Sequence, residues 1–230
     1  MDSSKLGQFT VWYNNSEEFH RLKQEIFTHD TYYFESDTPQ PVIIDAGAHI
    51  GLATLYFKKT FPGARITAIE PNPSSAVLLE KNIWENQLSD VIVVTSALAA
   101  DAGQKTFYID EGNTEWFSTS GFYPGAWNGQ QETKSLPMPT LPLNDFLSHP
   151  VDFLKMDIEG SELEVLTAAG SQLQQVKHLI VEFHPGEDRP LSKLLDLLKR
   201  QQFEITIWKD GKETSPTRAR GLVLVEAVHT

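Results

Sequence analysis

Short apolar runs alternating with segments of helical period predict an α/β chain built on a doubly wound, mostly parallel sheet of seven strands. Three observations carry this. Five runs rich in Val, Ile and Leu have the length and composition of buried strands. Helical segments with their own start and stop signals lie among them. The last two runs have no helix between them, which makes them a terminal antiparallel pair.

The elements follow in order. Residues 1–40 read as an extension holding a helix near 16–28 and then the aromatic stretch TYYFESDTPQP. Strands are expected at 42–46 (VIIDA), 65–70 (RITAIE), 91–95 (VIVVT), 151–156 (VDFLKM) and 178–183 (HLIVEF). After the second strand, Asn72 is placed to cap a helix with Pro73 at its first position, where the missing N–H costs nothing; Ala76, Leu79 and Ile83 share its inner face. After the fourth, Ser161 and Glu164 have capping-box spacing and Gly170 is a stop. After the fifth, Leu191, Leu194, Leu195 and Leu198 form an apolar stripe, closed by Lys199 and Arg200 at the negative end of the helix dipole. Runs 203–208 (FEITIW) and 222–228 (LVLVEAV) complete the sheet. Residues 103–142 are an insertion with strand-like KTFYID, followed by a stretch dense in Trp116, Phe117, Phe122, Tyr123 and Trp127. A long aromatic insertion in a compact domain predicts a lid or substrate wall, an auxiliary hairpin being the plainer alternative. No linker divides the chain, so residues 1–230 are expected to form one domain.

Composition excludes several functions. Cysteine is absent, which removes disulfides, thiolate metal sites and cysteine nucleophiles. A formal charge of −12 with scattered basic residues argues against nucleic acid or anionic membranes as partners. No apolar run reaches the length of a membrane span, and the N-terminus lacks the pattern of a signal peptide, so a cytoplasmic protein is expected.

Chemistry concentrates at the predicted strand ends. DAGAHIG, residues 45–51, closes the first strand with Asp45 and turns at Gly47, with Gly51 allowing close packing where a helix begins. His49 stands where a dinucleotide fingerprint needs its middle glycine, which weakens a nicotinamide-dependent oxidoreductase reading without removing it. Glu70, ending the second strand, has the place and chemistry to accept bonds from a ribose diol. Ser96 and Ala97, after the third, are candidates to contact a base. KMDIEGSE brings Lys155, Asp157, Glu159 and Glu162 to the fourth strand end; Asp157 and Glu159 share one side if the chain stays extended. VEFHPG brings Glu182 and His184 to the same edge, with His184 either a general base or, with Asp157 and Glu182, a ligand of a divalent metal.

Together VIIDAGAHIGLATLYF, AIEPNP, VTSALA, LPLNDFL and VDFLKMDIEGSELEVL resemble the FkbM family of S-adenosylmethionine-dependent methyltransferases, over roughly residues 40–185. The resemblance implies a Rossmann-like class I methyltransferase with S-adenosyl-L-methionine as cofactor and a hydroxyl of a small molecule or sugar as acceptor. It implies that the turn from Asp45 through Gly47 and His49 to Gly51 holds the methionine part, that Glu70 binds the ribose, with Asn72 beside it, and that Ser96 and Ala97 lie near adenine. Asp157 would face the transferred methyl; Glu159 and His184, from their strand-end positions, are the further catalytic candidates, and no residue is assigned as a metal ligand. A silent cofactor-binding module remains the other alternative.

Overall fold

The computed structural model describes residues 1–110, 120–122 and 133–229. It opens on a hairpin of β1 (Asp2–Leu6) and β2 (Phe9–Tyr13), turning at Gly7. The expected 16–28 helix follows in two pieces, α1 (Ser16–Lys23) and a π-helical turn over Gln24–Thr28. Next come β3 (Val42–Ala46), α2 (Leu52–Thr60), β4 (Arg65–Ile69), α3 (Pro73–Glu85) and β5 (Val91–Val94). A short β6 (Ala97–Ala99) precedes the insertion, which supplies β7 (Gly103–Asp110), β8 (Ser120–Gly121) and β9 (Thr133–Pro142). The chain closes with β10 (Val151–Met156), α4 (Glu162–Ala169), β11 (Val176–Phe183), α5 (Leu191–Arg200), β12 (Glu204–Lys209), β13 (Lys212–Glu213) and β14 (Val223–Val228).

The main sheet runs β13-β12-β14-β11-β10-β3-β4-β5. It has eight strands rather than seven, because the two-residue β13 extends the edge beyond β12. β12 and β14 are antiparallel neighbours, as expected, but β14 is inserted between β11 and β12 and runs against both. Only β14 and the short β13 therefore break the parallel set. From β3 the chain proceeds outward to β4 and β5, then crosses back to β10 and β11 on the other side. This reversal beside β3 opens a crevice at the carboxyl ends of β3 and β10.

Both faces of the sheet are covered. Phe153 and Leu154, adjacent in β10, point to opposite sides, as strand alternation requires. Phe153 meets Phe34, Phe57 and Ile66 beneath α2 and the N-terminal extension. Leu154 lies in the buried cluster that holds Val165, Leu166, Leu194 and Leu198 of α4 and α5. All four leucines of the α5 stripe are buried. Asn72 caps α3 as expected, its side chain accepting from Ser74 N, and Gly170 ends α4 at φ +56°. The capping box does not form: Ser161 makes no capping bond, and Glu164 pairs instead with Lys105.

The hairpin is bonded into the domain by amides. Asn82 accepts from Trp12 N and donates to the carbonyls of Trp12 and Ile50. Asn86 accepts from Thr10 N and donates to its carbonyl. Within the insertion β9 pairs antiparallel with β7, and it pairs parallel with β6 ahead of it. Trp116, Phe117, Tyr123 and Trp127 lie outside the described residues. No helix among the described residues is long and apolar enough to cross a membrane.

Candidate active site

The turn after β3 is held by contacts only glycine permits. Gly47 sits at φ +77°, and a Cβ on it would lie 1.7 Å from the Asp157 carbonyl oxygen. The close approach at Gly47 is thus made by the end of β10. Gly51, at φ +91°, begins α2 with Leu79 Cδ1 2.6 Å from where its Cβ would be. His49 also takes a left-handed conformation, at φ +51°, and donates its backbone N–H to Glu70 Oε2 at 2.8 Å. The other Glu70 oxygen accepts from Asn72 N at 2.8 Å. Glu70 is buried, so one carboxyl ties the turn after β3 to the turn after β4. Burial pushes that carboxyl above its ordinary range; His49 and the two backbone N–H groups oppose the shift.

A cavity of about 260 Å³ opens at these strand ends. Gly47, His49, Glu70, Ser96, Ala97 and Asp157 line it, and so do Glu159 and His184. Asp45, Gly51 and Asn72 do not: Asp45 is fully buried behind the turn, Gly51 is packed on Leu79, and Asn72 is committed to its cap. β10 ends at Met156 and Glu159 has φ +56°, so the chain does not stay extended to Glu159 as the alternation argument required. The loop nevertheless returns Glu159 to the cavity.

Further lining comes from the two segments outside the alternating pattern. Glu18, Arg21, Glu25 and Tyr32 reach the cavity from the N-terminal extension. Phe107, Ser120 and Phe122 reach it from the insertion, with the Phe107 and Phe122 rings edge-to-face at 5.7 Å. The aromatic clusters were visible as composition, but nothing local marked where they point.

The electrostatics centre on Lys155. Its buried ammonium lies 3.2 Å from Asp45 Oδ1 and donates to the Gly47 carbonyl at 2.8 Å. The Thr54 hydroxyl donates to the other Asp45 oxygen at 2.7 Å. Burial alone would lower the Lys155 pKa, but Asp45, Asp157 and Glu182 outweigh it and raise it. Asp157 is pushed up to about 7, by burial first and then by Glu182. Glu159 is pushed up to about 9, by burial and then by Asp157. Glu162, whose Oε1 accepts from Gly160 N, is pushed up to about 7, chiefly by burial. His184 moves the other way, down to about 4, through burial and the Arg189 guanidinium. Its Nε2 stands 3.9 Å from Glu159 Oε2, while Arg189 Nε donates to its carbonyl at 3.0 Å.

No group of three or more His, Asp or Glu among the described residues is arranged to hold a metal ion. The Lys155 ammonium is a positive charge that opposes both Asp157 and Glu182. The arrangement therefore offers an acid–base cluster beside a carboxylate able to bind a diol, at the switch point of an open sheet.

Comparison with known proteins defines the class as methyltransferase. The chain matches the Methyltransferase FkbM domain over residues 45–205, and it belongs to that family. It is 30% identical to methyltransferase sdnD of Sordaria araneosa, over 85% of each chain. It is 27% identical to the hexuronic acid methyltransferase AglP of Haloferax volcanii, over 86% of this chain and 79% of that one. With the 2-O-methyltransferase NoeI of Sinorhizobium fredii it shares 25% identity, over 70% and 72%. Among solved structures, the methyltransferase FkbM of Methylobacillus flagellatus KT has the same fold, with a TM-score of 0.57 at 18% identity. That match covers 86% of this chain and 47% of the other, so the chain spans about half the length of that protein.

Proposed function

We propose that the chain transfers a methyl group from S-adenosyl-L-methionine to a hydroxyl of a small molecule or sugar. The observation that carries this is one cavity joining Glu70 to the Asp157 cluster. The donor fits the residues present. Each Glu70 oxygen accepts one backbone N–H, and a carboxylate retains acceptor capacity for a ribose diol. Ser96 and Ala97 border the place a base would take, and the carboxylate-rich wall suits a cation. The donor supplies a methyl group already activated on a sulfonium. Asp45 acts from behind, fixing the turn through Lys155 and Thr54.

On the acceptor side, Asp157, Glu159 and His184 face the substrate. Asp157, its carboxyl pushed up to about 7, stands beside the methyl-transfer position and orients the acceptor hydroxyl. His184 is neutral there and a weak base, suited to receiving a hydrogen bond. Oxygen as the target draws support from NoeI, whose name specifies a 2-O-methyltransferase, and a sugar acceptor from AglP, whose name specifies a hexuronic acid. The aromatic insertion serves as a substrate wall, with Phe107 and Phe122 already at the cavity.

Calorimetry with S-adenosylhomocysteine and with NAD tests the cofactor, and methyl transfer to a panel of sugars, hexuronic acids and small hydroxylated molecules tests the acceptor. S-adenosylhomocysteine is expected to bind and NAD not. Glu70→Ala should weaken S-adenosylhomocysteine binding at least about tenfold, since a charged hydrogen bond contributes about 1.5–3 kcal/mol. Unchanged affinity refutes the ribose assignment. Binding without transfer to any acceptor would favour the silent module.

A further inference from the structure

The segment ahead of the family-matched residues reaches into the acid–base cluster. Tyr32 is buried, and its hydroxyl donates to Glu182 Oε1. Glu182 lies one residue before the end of β11 and lines the cavity. β10 and β11 pair in parallel with Met156 against Val181, so the next step of the register sets Asp157 beside Glu182. On the other side of β11, the partner in β14 is the uncharged Leu224. The charged and titratable groups around the Glu182 carboxyl are Arg21 and Glu25 from the N-terminal helical segment, Tyr32, and Lys155, Asp157 and Glu159 from β10 and its following loop.

A tyrosine hydroxyl can give a carboxylate one donor, which favours the ionised form and fixes the rotamer. One Glu182 oxygen is committed in this way, and the carboxylate still borders the cavity. His184 is a poorer candidate to take a proton, because burial and Arg189 keep its basicity low.

We propose that Glu182, held by Tyr32, takes the proton of the acceptor hydroxyl, which makes Tyr32 a positioning residue supplied from outside the family-matched region. The proposal rests on the methyl-transfer reading. The acceptor oxygen bonds to the methyl carbon as the carbon–sulfur bond breaks. The electron pair of that bond stays on sulfur, and the hydroxyl proton ends on Glu182.

Two variants, Tyr32→Phe and Glu182→Gln, test it. Carboxyl-carbon NMR of the unliganded protein, labelled at glutamate, needs no substrate; the Glu182 resonance is identified by its loss in Glu182→Gln. Removing the Tyr32 donor should move its titration midpoint upward by about one pH unit. S-adenosylhomocysteine affinity should stay within about threefold of wild type in both variants, because neither group is assigned to the donor. With the best acceptor of the panel, Glu182→Gln should lower kcat by about 10²-fold or more while KM stays within a few-fold. Tyr32→Phe should lower kcat about tenfold and move the acid limb of the pH–rate profile upward with the NMR midpoint. A Tyr32 that only packs would change the melting temperature and neither of these. An unmoved midpoint in Tyr32→Phe, or wild-type kcat in Glu182→Gln, overturns the proposal while leaving methyl transfer intact. Failure of the wild type to bind S-adenosylhomocysteine overturns both.

Discussion

Replacing Lys155 with Met removes the ammonium buried beside Asp45 and keeps most of its stem volume. At 3.2 Å the pair is worth about 5 kcal/mol of Coulomb energy at an effective dielectric of about 20. Methionine leaves Asp45 fully buried with the Thr54 hydroxyl as its remaining partner, and it removes the opposing charge from Asp157 and Glu182. Loss of one partner from a buried pair costs about 3–5 kcal/mol. In a domain of this size each kcal/mol moves the melting temperature by about 2–4 °C, so a fall of about 6–20 °C is expected. The pH dependence has a definite sign. Without the ammonium, the folded carboxyls hold protons to higher pH than the unfolded chain does. The folded state then binds more protons, and stability falls as pH rises. The deficit against wild type should be largest near pH 8 and shrink towards pH 4. Asp45→Leu added to Lys155→Met should recover much of the loss, since no unpaired charge then remains in that pair. Urea and thermal unfolding at pH 5 and pH 8 measure all of this. A loss under about 1 kcal/mol at pH 8, or a deficit that does not shrink on acidification, refutes the placement of Lys155 as a buried counter-charge.

Two further outcomes follow from particular contacts. Asn82→Ala leaves the N–H and carbonyl of Trp12 and the carbonyl of Ile50 without their side-chain partner. A loss of about 2–4 kcal/mol is expected, with earlier protease cleavage within residues 1–15, read by urea unfolding and limited proteolysis. Asp157→Asn should suppress turnover while sparing S-adenosylhomocysteine binding, read by methyl release and calorimetry. The Asp157 carboxyl, up at about 7, holds its proton to higher pH than in the unfolded chain. Wild type therefore loses stability from about pH 4 to about pH 7, and the asparagine variant should be the more stable near pH 8 by on the order of 1 kcal/mol, with no difference below pH 4.

What could be read from the chain was local. Strands β3, β4 and β10 are short apolar runs, and Glu70 and Asp157 stand just past the ends of β4 and β10, so the cavity could be foreseen from their chemistry. The alternation of FTVWY, with Phe9, Val11 and Tyr13 inward, marks β2, and Gly7 marks its turn, so that hairpin too is encoded locally. Other features are non-local. Nothing near residue 32 indicates a partner at 182, since loop closure rather than local pattern brings them together. Ser161 and Glu164 have the right spacing for a capping box, yet Glu164 is drawn to Lys105 of the insertion. Asn72 served one of its two expected roles: committed as a cap, it does not line the cavity. The position of β14 depended on which sheet edge remained open, which the order of strands in sequence does not state.

That insertion of β14 has a consequence for how the chain is made. β11 carries Glu182 and leads to His184, and one of its two flanks is completed only by the last strand of the sheet in sequence. During synthesis the strands up to β11 emerge first, so that flank of β11 has unpaired N–H and carbonyl groups until Val223–Val228 arrives. The flank of the strand bearing Glu182 is thus the last of the central sheet to be covered, so partly made chains expose an adhesive strand.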